Sequence, residues 1–518
     1  MTEFLSGFGT ALDPANLLYC LLGVILGNIV GVLPGIGAIA AISILLPVTF
    51  YLEPTTAVIM LAGVYYGAEY GGSIASILLN LPGTASNAIT TLDGYPLAKR
   101  GEAGTALLTA QVSSFCGGTL GILAMVLLSP LIVKFSLSFG PAEYFATLLL
   151  GLVAGSVAVG GSALRGIAMV CVGMLLGTVG LDLNSGVARY AMDSPNLLDG
   201  LSIVAVAMGL FGIPEVIANL RHVDESNKAI QVTAKSMLSA VSRLKSIVPS
   251  ILRGASVGGF LGPLPGAGPT ISSFLAYSLE RAVGGRRSEF GTGRINGVAA
   301  PEAANNAAAQ TAFIPTMTLG IPGTPTMAII LGALMIHGIS PGPQLIGQHP
   351  DLFWGLVASF WIGNLMLLIL NIPLIGLWVR LVSVPRHYFF PVIIALVCTG
   401  IFGVANSTFD IWSVLAMGVF GSLLRSFGFS PAPLLIGFVL GPMLEEHLRR
   451  ALMISGGDMG YLASSWTAIC IHAISGFMIL APLIRWVMGG PLRKQKNPTR
   501  EALDRWAQKE KRSMKHSD

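Results

Sequence analysis

Charged residues are scarce in this sequence. Asp, Glu, Lys and Arg make up 11% of its 518 residues, hydrophobic residues make up 53%, and the mean hydropathy is +0.74. A water-soluble domain carries about one quarter charged residues. So little charge excludes a soluble globular protein and predicts a chain that lies largely within a lipid bilayer.

The sequence also lacks common motifs of metal and nucleotide chemistry. No glycine-rich phosphate loop ending in Lys-Ser/Thr and no HExxH metal motif occurs. The cysteines lie in apolar stretches without disulfide or zinc-site spacing, at Cys20, Cys116, Cys171, Cys398 and Cys470. These absences argue against an ATP-driven pump and against an enzyme, and we expect no catalytic residue and no cofactor.

Apolar runs of membrane-spanning length recur along the chain. They include residues 120–131, 142–159, 167–179, 352–377, 389–404 and 411–424. A spanning helix needs roughly 20 apolar residues, and lipid leaves the backbone few alternatives to the helix. We predict an all-α polytopic membrane protein with about ten to twelve spanning helices plus re-entrant or broken helices.

Two polar segments divide the chain. Residues 221–253 contain six basic and two acidic residues, and residues 491–518 contain nine basic and four acidic residues. Basic segments beside membrane helices usually lie in the cytoplasm. We therefore predict an N-terminal repeat over 1–220, a cytoplasmic connection over 221–253, a C-terminal repeat over 254–490 and a basic cytoplasmic tail over 491–518.

The two predicted repeats share two short motifs in the same order. LPGxG occurs at residues 33–37 and 264–268, and PGT follows at 82–84 and 322–324. Such self-similarity indicates an internal duplication. Acidic residues flank the first LPGxG motif and basic residues flank the second. Lys99 and Arg100 follow the first PGT motif, whereas the segment after the second is uncharged. Opposite flanking charges are typical of inverted-topology repeats.

The prolines and glycines of these motifs interrupt helices. A lone break can be a simple kink, but freed backbone groups in lipid must line protein or water. A helix that restarts after a break directs free N–H groups and partial positive charge into the gap, where an anion such as a carboxylate fits. The predicted binding residues are Pro34, Gly35, Gly37, Pro82, Gly83, Thr84, Ser86, Asn87, Pro265, Gly266, Gly268, Thr270, Pro322, Gly323, Thr324 and Thr326.

Other polar residues lie within apolar stretches near the breaks. Ionisable residues inside a membrane are rare and usually functional, although a structural hydrogen bond to a neighbouring helix is the alternative. We predict roles in binding a coupling ion or in polar support for Glu69, Asn80, Glu302, Asn305 and Asn306. We interpret Arg165, Arg380, Arg425, Arg449 and Arg450 mostly as anchors at span ends.

Several long strings resemble a known family. They are "GNIVGVLPGIGAIAAISILLPVTF", "YYGAEYGGSIASILLNLPGTASNAITTLDGYPLAKRGEAGTAL", "GPLPGAGPTISSF" and "GVAAPEAANNAAAQTAFIPTMTLGIPGTPTMAIILGALMIHGISPGPQL". The chain is similar, over most of its length, to the large membrane subunit of bacterial tripartite tricarboxylate transporters.

The resemblance implies uptake of carboxylates such as citrate across the bacterial inner membrane, driven by a cation gradient, usually thought to be Na⁺. It also implies a small membrane subunit and a periplasmic solute-binding protein as partners, and a carboxylate site between the two LPG motifs. The ligands of any Na⁺ stay open. A carboxylate or anion channel, an exporter and a proton-coupled carrier remain alternatives.

Overall fold

The computed structural model describes residues 2–33, 37–158, 163–182, 185–220, 230, 232, 234–238, 240–285, 287–382, 401–402 and 407–487. Pro34, Gly35, much of the predicted connection and the basic tail lie outside the described residues. The secondary structure of the described residues is almost entirely helical.

The N-terminal half contains ten helices among its described residues. They are α1 (Thr2–Ala11), α2 (Pro14–Val32), α3 (Gly37–Thr49), α4 (Pro54–Leu79), α5 (Thr91–Leu97), α6 (Ala103–Ser136), α7 (Pro141–Ala158), α8 (Ala163–Gly177), α9 (Ile203–Ala207) and α10 (Ile213–Leu220). π-Helical turns at Ala98–Glu102 and Met208–Gly212 join α5 to α6 and α9 to α10. Two-residue strands β1 (Gly180–Leu181) and β2 (Ala188–Arg189) pair antiparallel, with Gly180 opposite Arg189.

The remaining described helices follow in the connection and the C-terminal half. They are α11 (Ala234–Leu238), α12 (Val248–Leu261), α13 (Gly268–Val283), α14 (Asn296–Thr311), α15 (Phe313–Leu319), α16 (Pro325–Ile336), α17 (Gln344–Gln348), α18 (Pro350–Asn371), α19 (Ile375–Val382), α20 (Thr408–Ser426), α21 (Ala432–Ile454) and α22 (Trp466–Val487). Short 3₁₀ turns occur at Ser86–Ala88, Pro195–Leu197, Val241–Ile247, Arg287–Glu289 and Met459–Ala463.

Within the described residues, four helices are long and apolar enough to cross a membrane. They are Pro14–Val32, Thr91–Ser136, Pro350–Asn371 and Thr408–Ser426. Shorter apolar helices are Gly37–Thr49, Pro141–Val157, Ala163–Gly177, Ile203–Glu215, Pro325–Ile336 and Trp466–Leu480. The all-α polytopic class is confirmed. Within the part of the chain that the structure describes, the predicted spans, about ten to twelve, thus correspond to four long apolar helices and six shorter ones.

Matching glycine stripes hold each half together. Gly23, Gly27 and Gly31 of α2 pack against α4, and Gly254 and Gly258 of α12, with Gly262 at its C-terminal cap, pack against α14. A Cβ at any of these glycines would lie 2.1–2.6 Å from a facing backbone carbonyl oxygen. Small residues at every fourth position let membrane helices approach this closely. The duplication therefore extends from the motifs to the packing that precedes them.

Corresponding helices of the two halves run in opposite directions where they meet. Near the middle of α4, Tyr65 lies against Phe313, with ring centroids 6.2 Å apart. Two turns further along α4, Gly72 contacts Asn87, whose side-chain amide donates to Glu302. As α4 proceeds from Tyr65 toward its C-terminus, its neighbours in the other half change from α15 to α14, which comes earlier in the chain. Inverted-topology repeats have this relation.

A buried carboxylate joins the halves at one end. Asp93 of α5 is fully buried and accepts a hydrogen bond from the Tyr277 hydroxyl at 2.8 Å. Its other oxygen accepts from the backbone N–H groups of Gly291, Gly293 and Arg294 at 2.8–2.9 Å. A carboxylate with several donors is well compensated for its burial. This contact fixes the loop before α14 against the helix that follows the first PGT motif.

Candidate functional site

The broken helices of both halves line one cavity of about 890 Å³. Its walls include residues 37–40 after the first LPGxG motif, residues 266–271 around the second, and parts of both PGT loops. These segments are far apart in sequence, yet they share one space. The geometry places the interruptions at a common cavity rather than at separate kinks.

Three of the four interruptions are followed by substantial helices that begin at the cavity. α3 begins at Gly37 and α13 at Gly268, both with positive φ, and α16 begins at Pro325. The first N–H groups of a helix have no intrahelical acceptor and carry its partial positive charge. Gly266 donates its backbone N–H to the Gly323 carbonyl at 2.8 Å, which ties the second LPGxG loop to the second PGT loop.

The second PGT loop uses its threonine as a helix cap. The Thr324 side chain accepts a hydrogen bond from the Met327 backbone N–H at 3.3 Å. Ser, Thr, Asp and Asn stabilise helix N-termini in this way. Thr324 and Thr326 both line the cavity. This loop therefore presents a capped helix end and the hydroxyl groups of Thr324 and Thr326.

The first PGT loop is built differently, because a 3₁₀ turn follows it and a carboxylate lies against it. The Thr84 hydroxyl lies 3.1 Å from a Glu69 carboxylate oxygen, 2.7 Å from the Ser86 hydroxyl and 2.5 Å from Asn87 Oδ1. The Ser86 hydroxyl also donates to Glu69. A hydroxyl has one proton, so Thr84 donates to one of these oxygens at a time. Glu69, Thr84 and Ser86 bring a cluster of oxygens to the cavity wall.

The other predicted carboxylate, Glu302, lies behind this loop. It is fully buried and accepts from Asn87 Nδ2 at 3.0 and 3.2 Å and from the Thr90 hydroxyl at 2.5 Å. Ser114 and Asn305 add longer contacts at 3.4 and 3.3 Å. Glu302 is therefore the acceptor of a polar network between the halves and is not among the residues that line the cavity.

The predicted binding residues divide into three groups. Those that line the cavity are Gly37, Pro82, Gly83, Thr84, Ser86, Gly266, Gly268, Thr270, Gly323, Thr324 and Thr326. Those described elsewhere are Asn87, Pro265 and Pro322, each adjacent in sequence to the lining or one turn from it. Pro34 and Gly35 lie outside the described residues. The structure thus brings most of the predicted set together at one surface.

The predicted supporting residues are more dispersed. Glu69 lines the cavity, whereas Glu302, Asn305 and Asn306 lie together on α14. The Asn306 amide donates to Asn305 Oδ1 at 2.7 Å and to the Glu302 carbonyl at 3.1 Å. Asn80 ends α4 in the left-handed conformation, with φ of 60°. Glu69 lies 13 residues before Pro82 and Glu302 lies 20 before Pro322, so the two carboxylates do not occupy equivalent repeat positions.

Sequence reasoning missed an ion pair in the cavity wall. Arg425, interpreted as a span-end anchor, lines the cavity and donates through Nη1 to Glu215 Oε2 at 2.9 Å. No motif marks either residue, and 210 positions separate them. Aromatic side chains of Tyr65, Phe211 and Phe429 also line the cavity.

Fold and cavity define a membrane protein of the kind that moves solutes through duplicated, interrupted helices. Residues 17–436 match the tripartite tricarboxylate transporter TctA family. The chain belongs to this family and is therefore a subunit of a tricarboxylate transporter. This confirms the family resemblance, and the family is one of transporters rather than enzymes.

Two relatives come from Agrobacterium vitis. One, an uncharacterized 52.8 kDa protein in the TAR-I ttuC' 3' region, is 46% identical over 92% of this chain and 95% of its own length. The other, an uncharacterized protein in the TAR-II ttuC' 3' region, is 54% identical over 39% of this chain and 83% of its own length. No solved structure matches the chain.

Proposed function

We propose that this chain is the translocating subunit of a secondary active transporter that imports citrate-like tricarboxylates, with Na⁺ as the coupling ion. The observation that carries the proposal is the meeting of broken helices from both halves at one cavity. Helix N-termini bind anions without basic side chains. Three such ends converge here, which suits a cargo with several carboxylates.

The oxygens of Glu69, Thr84 and Ser86 are the candidates for holding the cation. They lie within hydrogen-bonding distance of one another at the cavity wall. Carboxylate and hydroxyl oxygens are the hard ligands that such cations prefer. Anion and cation sites would then adjoin, and each ion would favour binding of the other through its charge.

Proton coupling is the second candidate, and Glu69 is the observation that favours it. A carboxyl group that lines the cavity and is only 5% exposed can carry a proton across in place of a cation. The two candidates share the same cargo site and differ in the ion that neutralises Glu69. Testing whether a Na⁺ gradient or a pH gradient drives uptake distinguishes the two candidates.

We further propose the assembly and orientation that the family implies. The chain would lie in the bacterial inner membrane with its basic tail in the cytoplasm, as the positive-inside rule favours. A periplasmic solute-binding protein would deliver the cargo, and a small membrane subunit would complete the transporter. Inverted repeats would provide alternating access by rocking one bundle against the other.

Uptake into proteoliposomes tests the proposal. The complete transporter would be reconstituted with its binding protein, and labelled citrate followed under separate Na⁺ and pH gradients. Saturable uptake that requires inward Na⁺ is the expected result. Dependence on the pH gradient alone would favour proton coupling, and uptake that follows membrane potential without a co-ion would indicate a channel. Net movement only outward would indicate an exporter.

A substitution at a cavity glycine tests the site itself. Gly266 has φ of 81° and lines the cavity, so Gly266→Leu adds both strain and bulk there. We expect this variant to insert in the membrane but to lose transport. Gly456→Leu is the matched control, because Gly456 has φ of 66° in an exposed loop remote from the cavity lining. Unchanged citrate uptake by Gly266→Leu would contradict the proposed site.

A further inference from the structure

The ion pair in the cavity wall joins helices from opposite halves of the chain. Glu215 lies in the first turn of α10, and Arg425 lies in the last turn of α20. Their side chains are partly exposed, at 22% and 33%, and both line the cavity. The pair is therefore accessible to a solute inside the cavity.

The ion pair between Glu215 and Arg425 contributes most of the charged groups in the cavity lining, which distinguishes it from an ordinary surface ion pair. Among the described residues that line the cavity, the charged ones are Glu69, Glu215 and Arg425. The lining thus has one guanidinium and two carboxylates. While Glu215 stays bonded to Arg425, a polyanionic cargo would meet a cavity with net negative charge. Helix N-termini offset part of this repulsion, but their effect falls off within one turn.

Arginine suits a carboxylate cargo better than any other side chain in the described lining. Its planar guanidinium presents donors that match a carboxylate, and it stays charged at all relevant pH values. Glu215 Oε2 occupies one of these donors in the structure. That carboxylate stands where a carboxylate of the cargo would make the same bond.

We propose that Arg425 binds one carboxylate of the cargo and that Glu215 is an internal competitor, which holds Arg425 while the cavity is empty. This inference rests on the proposed function and adds a specificity residue to it. A partly exposed ion pair contributes little net stability, so replacing the Glu215 carboxylate by a carboxylate of the cargo costs little free energy. A second carboxylate would remain at the helix ends, which makes the site selective for di- and tricarboxylates over monocarboxylates.

Equilibrium binding of citrate to the purified full-length chain in nanodiscs tests the exchange. Glu215→Gln removes the competitor, so we expect the Kd for citrate to fall about three- to tenfold. Arg425→Gln removes the receiving group, so we expect the Kd to rise about tenfold or more. The double variant should bind like Arg425→Gln alone, because the proposed competition is exerted through the bond between Glu215 and Arg425.

Controls separate this role from a structural clamp between α10 and α20. Arg450→Gln removes an arginine paired with Glu446 at 2.5 Å outside the cavity lining, and its Kd should stay at the wild-type value. Binding of acetate should be weak in the wild type and little changed by Arg425→Gln, so that the preference for citrate over acetate declines. Arg425→Lys, which keeps the charge, should restore part of the affinity even where Arg425→Gln is poorly folded.

Two results would overturn the inference while leaving the proposed function intact. One is an unchanged or raised Kd for Glu215→Gln, and the other is an unaltered Kd for Arg425→Gln. If the wild-type chain binds citrate in nanodiscs and the complete transporter takes up citrate into proteoliposomes, the transporter proposal stands in either case. A wild-type chain without carboxylate binding or transport would overturn both proposals together.

Discussion

The two PGT loops have the same motif but different chemistry. In the first loop, hydroxyls of Thr84 and Ser86 contact Glu69, and Asn87 reaches Glu302. In the second, Thr324 caps α16 and the backbone of Gly323 accepts from Gly266. Both loops follow a residue in the left-handed conformation, Asn80 in the first and Gly320 in the second.

The difference teaches that the same Pro-Gly break can stand in both halves with different side-chain chemistry around it. The first loop carries negative charge and oxygen ligands, which suit a cation or a proton. The second presents the N-terminus of α16, which is capped by the neutral Thr324 hydroxyl, and the positive end of a helix suits an anion. The two PGT loops thus form chemically different parts of the wall of a single cavity. Substitutions at equivalent positions should therefore have unequal effects.

The largest expected effect comes from the paired glycines Gly83 and Gly323. A Cβ at Gly83 would lie 1.8 Å from the Gly31 carbonyl oxygen, whereas a Cβ at Gly323 would come no closer than 3.7 Å to Pro265 Cα. We expect Gly83→Ala to lose about 3 kcal/mol or more of folding free energy, since backbone atoms cannot yield. Gly323→Ala should fold normally. Membrane yield and thermal unfolding in detergent measure both, and equal stability of the two variants would refute the asymmetry.

The two carboxylates that contact the first loop, Glu69 of α4 and Glu302 of α14, provide the next test. Glu302→Ala leaves the Asn87 amide and Thr90 hydroxyl buried without their acceptor, so we expect a loss of about 2–4 kcal/mol in stability. Glu69→Ala should cost about 1 kcal/mol, because Thr84 and Ser86 can turn toward the cavity. Uptake assays normalised to the amount of folded protein should rank the two variants in the reverse order, because we expect Glu69→Ala to lose ion-dependent transport. Thermal melts that rank Glu69→Ala as the less stable variant would contradict this assignment.

The sequence predicted the cavity better than it predicted its charged residues. A Pro-Gly step both removes a backbone donor and disfavours helix continuation, and its recurrence in LPGxG and PGT could be recognised without knowing the packing. Which way Glu302 faces depends on the rotation of α14, and α14 is buried on all sides from Gly297 to Thr311, so no amphipathic face marks its direction. The pairing of Arg425 with Glu215 joins positions 210 apart and follows no periodicity. Such long-range contacts require the folded structure.

The equivalent threonines should differ by a smaller amount. Thr84→Val removes a hydroxyl that contacts Glu69, Ser86 and Asn87, and we expect a loss of about 1–2 kcal/mol. Thr324→Val removes a cap whose bond is 3.3 Å long, and about 0.5–1 kcal/mol should be lost. Chemical or thermal denaturation in detergent compares them. A larger loss for Thr324→Val would show that the helix cap, and not the oxygen cluster, is the stronger local contact.

The smallest expected effect comes from removing a hydrogen bond between the halves that has no equivalent at the matching position of the other half. The Ser273 hydroxyl of α13 lies 2.8 Å from the Ser86 carbonyl oxygen of the first PGT loop and 2.9 Å from the Thr270 carbonyl oxygen of its own helix, and it donates to one of them at a time. The equivalent position in α3 is the buried, apolar Ile42. We expect Ser273→Ala to reduce stability by about 0.5–1 kcal/mol, because the Ser86 carbonyl loses a buried donor. Ser272→Ala is the matched control, since Ser272 bonds only to Gly268 O on its own helix and such local bonds add little. If the two alanine variants unfold at the same temperature, the contact between α13 and the first loop does not contribute to joining the halves, and the asymmetry is confined to the loops themselves.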